Sequence, residues 1–169
     1  MLLFRGRMNA IELLESQHRE VEDLFDRFEK ADQAAAKRKL VEEISDKLAV
    51  HAAIEERHFY PAVKDEQTED LLMEALEEHL AVKRVLADLL DLKPADETFE
   101  PKVKVLKEQI EHHVDEEEEE LFPKVAKLLS KDQLEALGQE MTATQVELEA
   151  EQKPREAVRK ETDEAAPLP

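Results

Sequence analysis

Apolar residues recur at helical spacing in four long stretches of the chain, separated by prolines or short polar segments. The first stretch begins after Asn9, a good N-cap residue, and the second covers about 34–59, just before Pro61. The third and fourth begin near Thr68 and Pro101. Four long helices joined by short connections predict an all-α protein with an antiparallel four-helix bundle.

A weaker apolar pattern follows Pro123 and continues to Met141. It predicts two further short helical pieces that cover one end or side of the bundle, the second capped by Ser130 or Asp132. From about Glu149 the chain is almost free of apolar residues, a composition that favours disorder. The predicted division is an N-terminal extension (1–8), a helical bundle domain (9–148) and an acidic, proline-containing tail (149–169).

Composition narrows the function classes. The formal net charge of −19 repels phosphate backbones and anionic lipid, so we expect neither a nucleic acid nor a membrane as partner. Absence of cysteine excludes disulfides, thiolate metal sites and iron–sulfur clusters. The apolar residues at the start are fewer than a signal peptide requires, and no stretch reaches the roughly 18 apolar residues of a membrane span. We therefore expect a soluble, cytoplasmic protein.

The chain contains an internal repeat. Residues 51–61 align without gaps with residues 113–123. In both segments glutamate follows the opening histidine by four positions, a second glutamate follows at once, and an aromatic–proline pair closes the segment. A further histidine, His18 or His79, precedes each opening histidine by 33 or 34 residues. Each half therefore supplies one histidine and one His-x-x-x-Glu motif.

This repeat has the residue types and spacing of a dinuclear metal site. Residues four apart share one helix face, so His51 and Glu55 can point together into the bundle, as can His113 and Glu117. Helix lengths between paired histidines bring all four to similar heights. Two carboxylates can each bridge two cations, and burying them without partners would be costly. The predicted ligands are His18, His51, Glu55, His79, His113 and Glu117.

Other residues near the repeat allow more than one interpretation. A single histidine in a helical protein is more often a surface or hydrogen-bonded core residue than a ligand. His58 follows His51 by seven positions on the same face and is a further candidate ligand, although its counterpart in the repeat is Glu120. His112 is expected to point outward. Tyr60 is either a packing residue or a hydrogen-bond donor to a bound oxygen species.

These motifs resemble the hemerythrin family, specifically the bacterial HHE cation-binding domain proteins, over about residues 9–125. The resemblance implies a non-haem centre of two iron ions (Fe²⁺/Fe³⁺), bridged by carboxylates and an oxo group, that binds O₂ or reacts with peroxide, nitric oxide or related species. Oxygen carriers of this family have a fifth histidine one turn after the residue matching His79, where this chain has Lys83. That difference disfavours reversible oxygen carriage, unless His58, a water or a nearby acid replaces the missing ligand.

Three functions follow, from different classes. The leading hypothesis is a di-iron protein that binds or reacts with O₂ or H₂O₂; whether it is a peroxide-decomposing enzyme stays open. The alternative is an iron- or redox-sensing module that acts on an unknown protein partner through the tail or the terminal helices. A third is a structural bundle with unliganded histidines. The ligand types alone do not select iron, because imidazole and carboxylate also bind zinc, copper, nickel and manganese.

Overall fold

The structure, a computed structural model, describes residues 7–151 and 153–162, and every regular element in these ranges is helical. Residues 1–6 of the predicted N-terminal extension lie outside it. The helices are α1 (Ala10–Lys30), α2 (Ala34–Ile54), α3 (Tyr60–Val63), α4 (Glu69–Asp91), α5 (Phe99–Glu116), α6 (Phe122–Leu128), α7 (Lys131–Ala150) and α8 (Pro154–Val158). Within the described ranges no helix has the length and apolar character needed to cross a membrane.

The four long helices α1, α2, α4 and α5 form the predicted antiparallel bundle. Helix α1 packs against α2, α4 packs against α5, and α2 joins the two pairs through α4. The first helix begins where the sequence predicts, because Asn9 and Glu12 form a capping box: the Glu12 amide donates to Asn9 Oδ1 at 2.9 Å, and the Asn9 amide donates to Glu12 Oε2 at 3.0 Å.

Helix α7 corrects the expectation of two short pieces after Pro123. Only α6 is short, since α7 extends over 20 residues and packs against α1 and α2. Ser130 and Gln133 form a second capping box, so Ser130 rather than Asp132 is the N-cap. Close contact with the bundle requires Gly138, where a Cβ atom would lie 2.4 Å from the Met8 carbonyl oxygen.

Two π-helical turns replace the predicted helix ends at the aromatic–proline pairs. They cover Glu55–Phe59 and Glu117–Leu121, and the helical path continues beyond both into α3 and α6. In each turn the amide five residues after the glutamate donates to that glutamate's carbonyl oxygen. Proline in an α-helix would clash with the carbonyl four residues earlier, and a wider turn gives the ring room. The prolines therefore widen the helix where the predicted glutamate ligands lie.

The apolar core is divided into two clusters. One contains Leu14, Ile54, Leu76 and Leu121, and the other contains residues such as Val21, Leu48, Val82 and Ile110. Along each long helix the predicted histidine ligand lies where the chain passes from one cluster to the other. The buried histidines and glutamates thus form a polar layer between two apolar layers.

The expected disordered tail is wrong for the part of it that the structure describes. Residues 149 and 150 complete α7, and α8 packs on α2 and α4. Val158 is only 2% exposed, and Arg155 pairs with Asp46 at 2.8 Å. The composition of the segment did not predict this order, because a single buried valine and a few ion pairs to the bundle hold the segment. Residues 152 and 163–169 lie outside the described residues.

Candidate metal centre

The structure brings all six predicted ligands together in the polar layer, where they form what we call the inner layer of the site. Each long helix contributes one histidine, and each π-helical turn begins with one glutamate. All six are buried; Glu55 is 0% exposed and Glu117 is 2% exposed. Full burial of two carboxylates is rare without compensating partners, so the site requires positive charge.

The inward atoms are the two carboxylates and the Nε2 atoms of the imidazoles. Glu55 Oε1 lies 3.1 Å from both His51 Nε2 and His79 Nε2. Glu117 Oε1 lies 3.1 Å from His113 Nε2 and 3.3 Å from His18 Nε2. Ligand atoms from His51, Glu55, His113 and Glu117 all lie within 4.8 Å of one another. Each carboxylate therefore faces histidines from both halves of the repeat, as a bridging ligand would.

Ring geometry repeats between the two halves. The imidazoles of His18 and His51 have centroids 4.9 Å apart at 60°, and those of His79 and His113 have the same separation and angle. The two His-x-x-x-Glu motifs also agree, each with 3.1 Å between Nε2 and Oε1. The sequence repeat is thus expressed as an approximate two-fold arrangement of the site.

An outer layer of acceptors faces the Nδ1 atoms and turns Nε2 inward. In each half, the residue before the first histidine (Gln17 or Glu78) faces the second histidine of the same half. The glutamate after each inner carboxylate (Glu56 or Glu118) faces the first histidine of the other half. Three of these pairs are hydrogen bonds, His51 with Gln17 (2.7 Å), His113 with Glu78 (2.9 Å) and His18 with Glu118 (2.9 Å), whereas Glu56 lies 3.8 Å from His79 Nδ1. Such partners fix ring orientation at metal sites.

Sequence reasoning assigned no role to these outer residues, although the signal was available. Glu56 and Glu118 recur at matching positions of the repeat, and Gln17 and Glu78 each precede a predicted ligand. Only the paired helices show that they face the ring of a different helix.

Glu118 and Glu56 of the outer layer each pair with a cation. Arg19 pairs with Glu118, and Lys83 Nζ lies 2.9 Å from Glu56 Oε1. Lys83 also pairs with Glu161 at 2.8 Å, just beyond α8. Lys83 therefore places a buried ammonium group between Glu56 of the outer layer and Glu161 of the C-terminal segment.

Tyr60 is the main asymmetry of the inner layer. Its hydroxyl lies 3.2 Å from Glu117 Oε2 and 3.2 Å from His79 Nε2. The equivalent Phe122 instead stacks on His18 with centroids 6.0 Å apart and rings 5° from parallel. Burial, together with the Glu117 and Glu55 charges, raises the pKa of Tyr60 above its usual range, so the hydroxyl stays protonated and donates.

The two remaining histidines lie outside the inner layer. His58 Nε2 lies 2.6 Å from the Thr144 hydroxyl of α7, so the structure does not bring this candidate ligand into the cluster. His112 has a 64% exposed side chain and faces Glu116 at 3.1 Å, in agreement with the outward orientation expected from its position.

Without a metal, the site holds protons. Burial disfavours a charged imidazole, but the Glu55 and Glu117 carboxylates outweigh it and raise the pKa of His51 to about 9. The pKa values of His79 and His113 are raised in the same way. Burial raises the pKa of Glu55, but His51 and the other neighbours outweigh it, and the value falls well below its usual range. Imidazolium groups thus supply the positive charge that the carboxylates need.

The donor set fits a metal. Several buried atoms in and around the site have no hydrogen bond to any described residue: His18 Nε2, His51 Nε2, Glu55 Oε2, His79 Nδ1 and Glu117 Oε1. Unpaired buried polar atoms are costly, and cations would pair those that point inward. Imidazole nitrogens with carboxylate oxygens, and no sulfur, suit iron, manganese or zinc.

Comparisons with known proteins agree with this geometry. The family model "Hemerythrin HHE cation binding domain" matches residues 9–125. A crystal structure of a hemerythrin HHE cation binding domain-containing protein from Mycobacterium kansasii superposes with a TM-score of 0.78 at 27% identity, covering 90% of this chain and 98% of that one.

A curated protein described as a DNA nickase, from Nostoc sp. (strain PCC 7120), is 26% identical over 142 residues, or 84% of this chain. The matched region is only 40% of that protein's length, so this chain spans well under half of it.

Proposed function

Given that this chain belongs to the hemerythrin HHE cation-binding family, we propose that its His/Glu cluster holds two iron ions and binds or reacts with O₂, peroxide or related reactive species. The observation that carries this proposal is the inner layer itself, where two fully buried carboxylates each face imidazole nitrogens from both halves of the repeat. A single ion would leave part of this paired set unused.

The residues divide into separate tasks. His18, His51, His79 and His113 would be terminal ligands, and Glu55 and Glu117 would bridge. Bound iron would supply the redox chemistry. The chain excludes bulk water by burial, and the outer carboxylates hold the rings in place. Tyr60 is the one hydroxyl donor placed between Glu117 and His79. It is therefore the residue placed to hold a proton beside the reacting species.

Oxygen carriage is a weaker candidate than chemical turnover. The buried Lys83 occupies the position of the fifth histidine and pairs with Glu56 and Glu161, and His58 bonds Thr144 instead of entering the site. A centre with fewer protein ligands keeps positions open for a substrate. We therefore favour consumption of peroxide or a related species, in the cytoplasm, with small molecules as partners.

Metal analysis followed by a peroxide assay tests the proposal. Protein loaded with Fe²⁺ and desalted should contain two irons per chain and consume H₂O₂ faster than the metal-free protein. The double variant Glu55→Ala, Glu117→Ala should lose both. Glu119→Ala, an exposed residue in the same acidic run, is the matched control and should retain both. Iron retained by the double variant, or a single tightly bound zinc in the wild type, would overturn the assignment.

A second candidate, an iron- or redox-sensing module, is favoured by one contact. Lys83 joins Glu56, which faces His79, to Glu161 on the C-terminal segment, so the site and the surface share a chain of charges. If the chain is such a module, the iron-loaded wild type should capture a protein partner that the iron-loaded Glu161→Gln variant does not bind. Nothing comparable favours action on DNA, because the net charge of −19 opposes binding to a polyanion.

A further inference from the structure

A small cavity lies beside the inner layer on the side away from α7. Its volume is about 30 Å³, roughly that of one water molecule in the liquid. Three predicted ligands form one side of it, and Lys83 and several apolar side chains form the rest. The lining includes His51, His79, His113, Leu48, Leu86 and Val158. Anything that enters this space would reach the imidazoles directly.

Residues 153–162 cover one side of the cavity. Val158 of α8 contributes to its lining and is 2% exposed. Polar contacts hold this segment on the bundle, among them Arg155 with Asp46, Arg159 with Asp91, Lys83 with Glu161, and the Arg84 guanidinium with the Thr162 carbonyl. Val158 is therefore the apolar residue that covers this side of the cavity, and charged contacts surround it.

This segment is suited to opening. An isolated helix of five residues is unstable in water, so α8 depends on its contacts with α2 and α4. Its ion pairs with Asp46 and Asp91 involve partly exposed groups, and such pairs contribute little each. The bundle helices beneath it have extensive apolar cores and do not need to move.

We propose that residues 153–162 form a strap that closes this cavity, so that only small molecules reach the histidines while the strap is shut. The small volume excludes larger molecules. Lys83 is a positioning residue, because its ammonium group holds Glu161 at the strap and Glu56 at the outer layer. The significance for turnover rests on the proposed function, whereas the closure itself does not.

Chemical modification of histidine in the metal-free full-length chain tests the closure. Diethyl pyrocarbonate is uncharged but too large for the cavity, and peptide mass spectrometry would give its rate at each histidine. The triple variant Arg155→Gln, Arg159→Gln, Glu161→Gln should react faster at His79 and His113 by roughly ten-fold, the effect of about 1.4 kcal/mol of lost closing free energy. The exposed His112 should react at an unchanged rate and serves as the internal control.

A matched variant separates strap opening from general loosening. Glu29→Gln removes an ion pair with Lys107 elsewhere on the surface and should leave all rates as in the wild type. Val158→Ala keeps the ion pairs but shortens the side chain that lines the cavity, and it should accelerate modification of His79 and His113 alone. Equal rates at these two histidines in wild type, triple variant and Val158→Ala would overturn the proposal. This assay contains no iron, so it is independent of whether the di-iron proposal fails.

Discussion

The carboxylate of Glu118 faces a predicted ligand from outside the inner layer, 2.9 Å from His18 Nδ1. Partners of this kind orient a ligand ring and make it a better donor, and their loss commonly reduces metal affinity by about 10–100-fold. We therefore predict that Glu118→Ala lowers iron affinity by that factor in competition with a chelator of known affinity. Its neighbour Glu119 is exposed, and Glu119→Ala should bind iron as the wild type does. Equal affinities for the two variants would contradict the assigned role.

Tyr60 makes hydroxyl contacts that its counterpart Phe122 cannot make. The phenylalanine shows that a bare ring fits the equivalent position, so Tyr60→Phe should keep the fold and the iron stoichiometry. Loss of a hydrogen bond of this kind should lower the free energy of unfolding by about 0.5–1.5 kcal/mol. Urea unfolding of the metal-free proteins, followed by far-ultraviolet circular dichroism, measures this change. An unchanged free energy would mean that the contacts with Glu117 and His79 contribute nothing in solution.

At the scale of elements, α7 lies close to the start of α1. A Cβ atom on Gly138 would come within 2.4 Å of the Met8 carbonyl oxygen and 2.8 Å of the Ala10 nitrogen, both backbone atoms that cannot rotate away. Gly138→Ala should therefore destabilise the protein by about 1–3 kcal/mol through overpacking, even though alanine is the better helix former by about 1 kcal/mol. Thermal unfolding measures the loss.

The control for this variant is Ala143→Gly, at an exposed position of the same helix. It reports helix propensity alone and should cost about 1 kcal/mol. If Gly138→Ala instead raised the melting temperature, α7 would not sit on the N-terminus of α1 as described.

The π-helical turns show where sequence patterns stop being sufficient. Spacing of four between histidine and glutamate correctly placed both pairs on one face, because that inference needs only the local α-helical repeat. Pro61 was expected to end or kink its helix, since a proline lacks the backbone N–H group and clashes with a carbonyl. The helix instead forms a wider turn, in which the Tyr60 amide donates to the Glu55 carbonyl oxygen five residues earlier, and then continues. Choosing between a break and a wider turn depends on packing that a local pattern does not contain.

At the scale of the whole molecule, the internal repeat made the site predictable. Six candidate ligands from four helices could be named because duplication fixes which positions are equivalent. The outer layer was not predicted, since the contact of Gln17 with His51 depends on how two helices face each other. The strap was missed for a different reason. The order of this segment depends on burial of Val158 and on charged partners in α2 and α4. The composition of the segment alone does not include these partners.

The charge balance of the inner layer links stability, pH and metal. In the metal-free protein the carboxylates raise the pKa of His51 from 6.5 to about 9, so its protonated form favours the folded state. That contribution is complete below the unfolded value of 6.5 and is lost as the pH rises through about 9. Metal uptake needs neutral imidazoles, so binding should release protons in the same range.

We therefore predict that the melting temperature of the metal-free protein falls as the pH rises from 6.5 to about 9, whereas that of the iron-loaded protein changes little, because bound cations replace the imidazolium charge. Differential scanning calorimetry of both forms measures the difference, and a pH-stat titration with Fe²⁺ should record proton release. His51→Gln should flatten part of the metal-free profile, which separates this effect from the general repulsion of an acidic chain. A metal-free protein that gains stability over this range would show that the folded site binds fewer protons than the unfolded chain, so that its imidazoles are neutral.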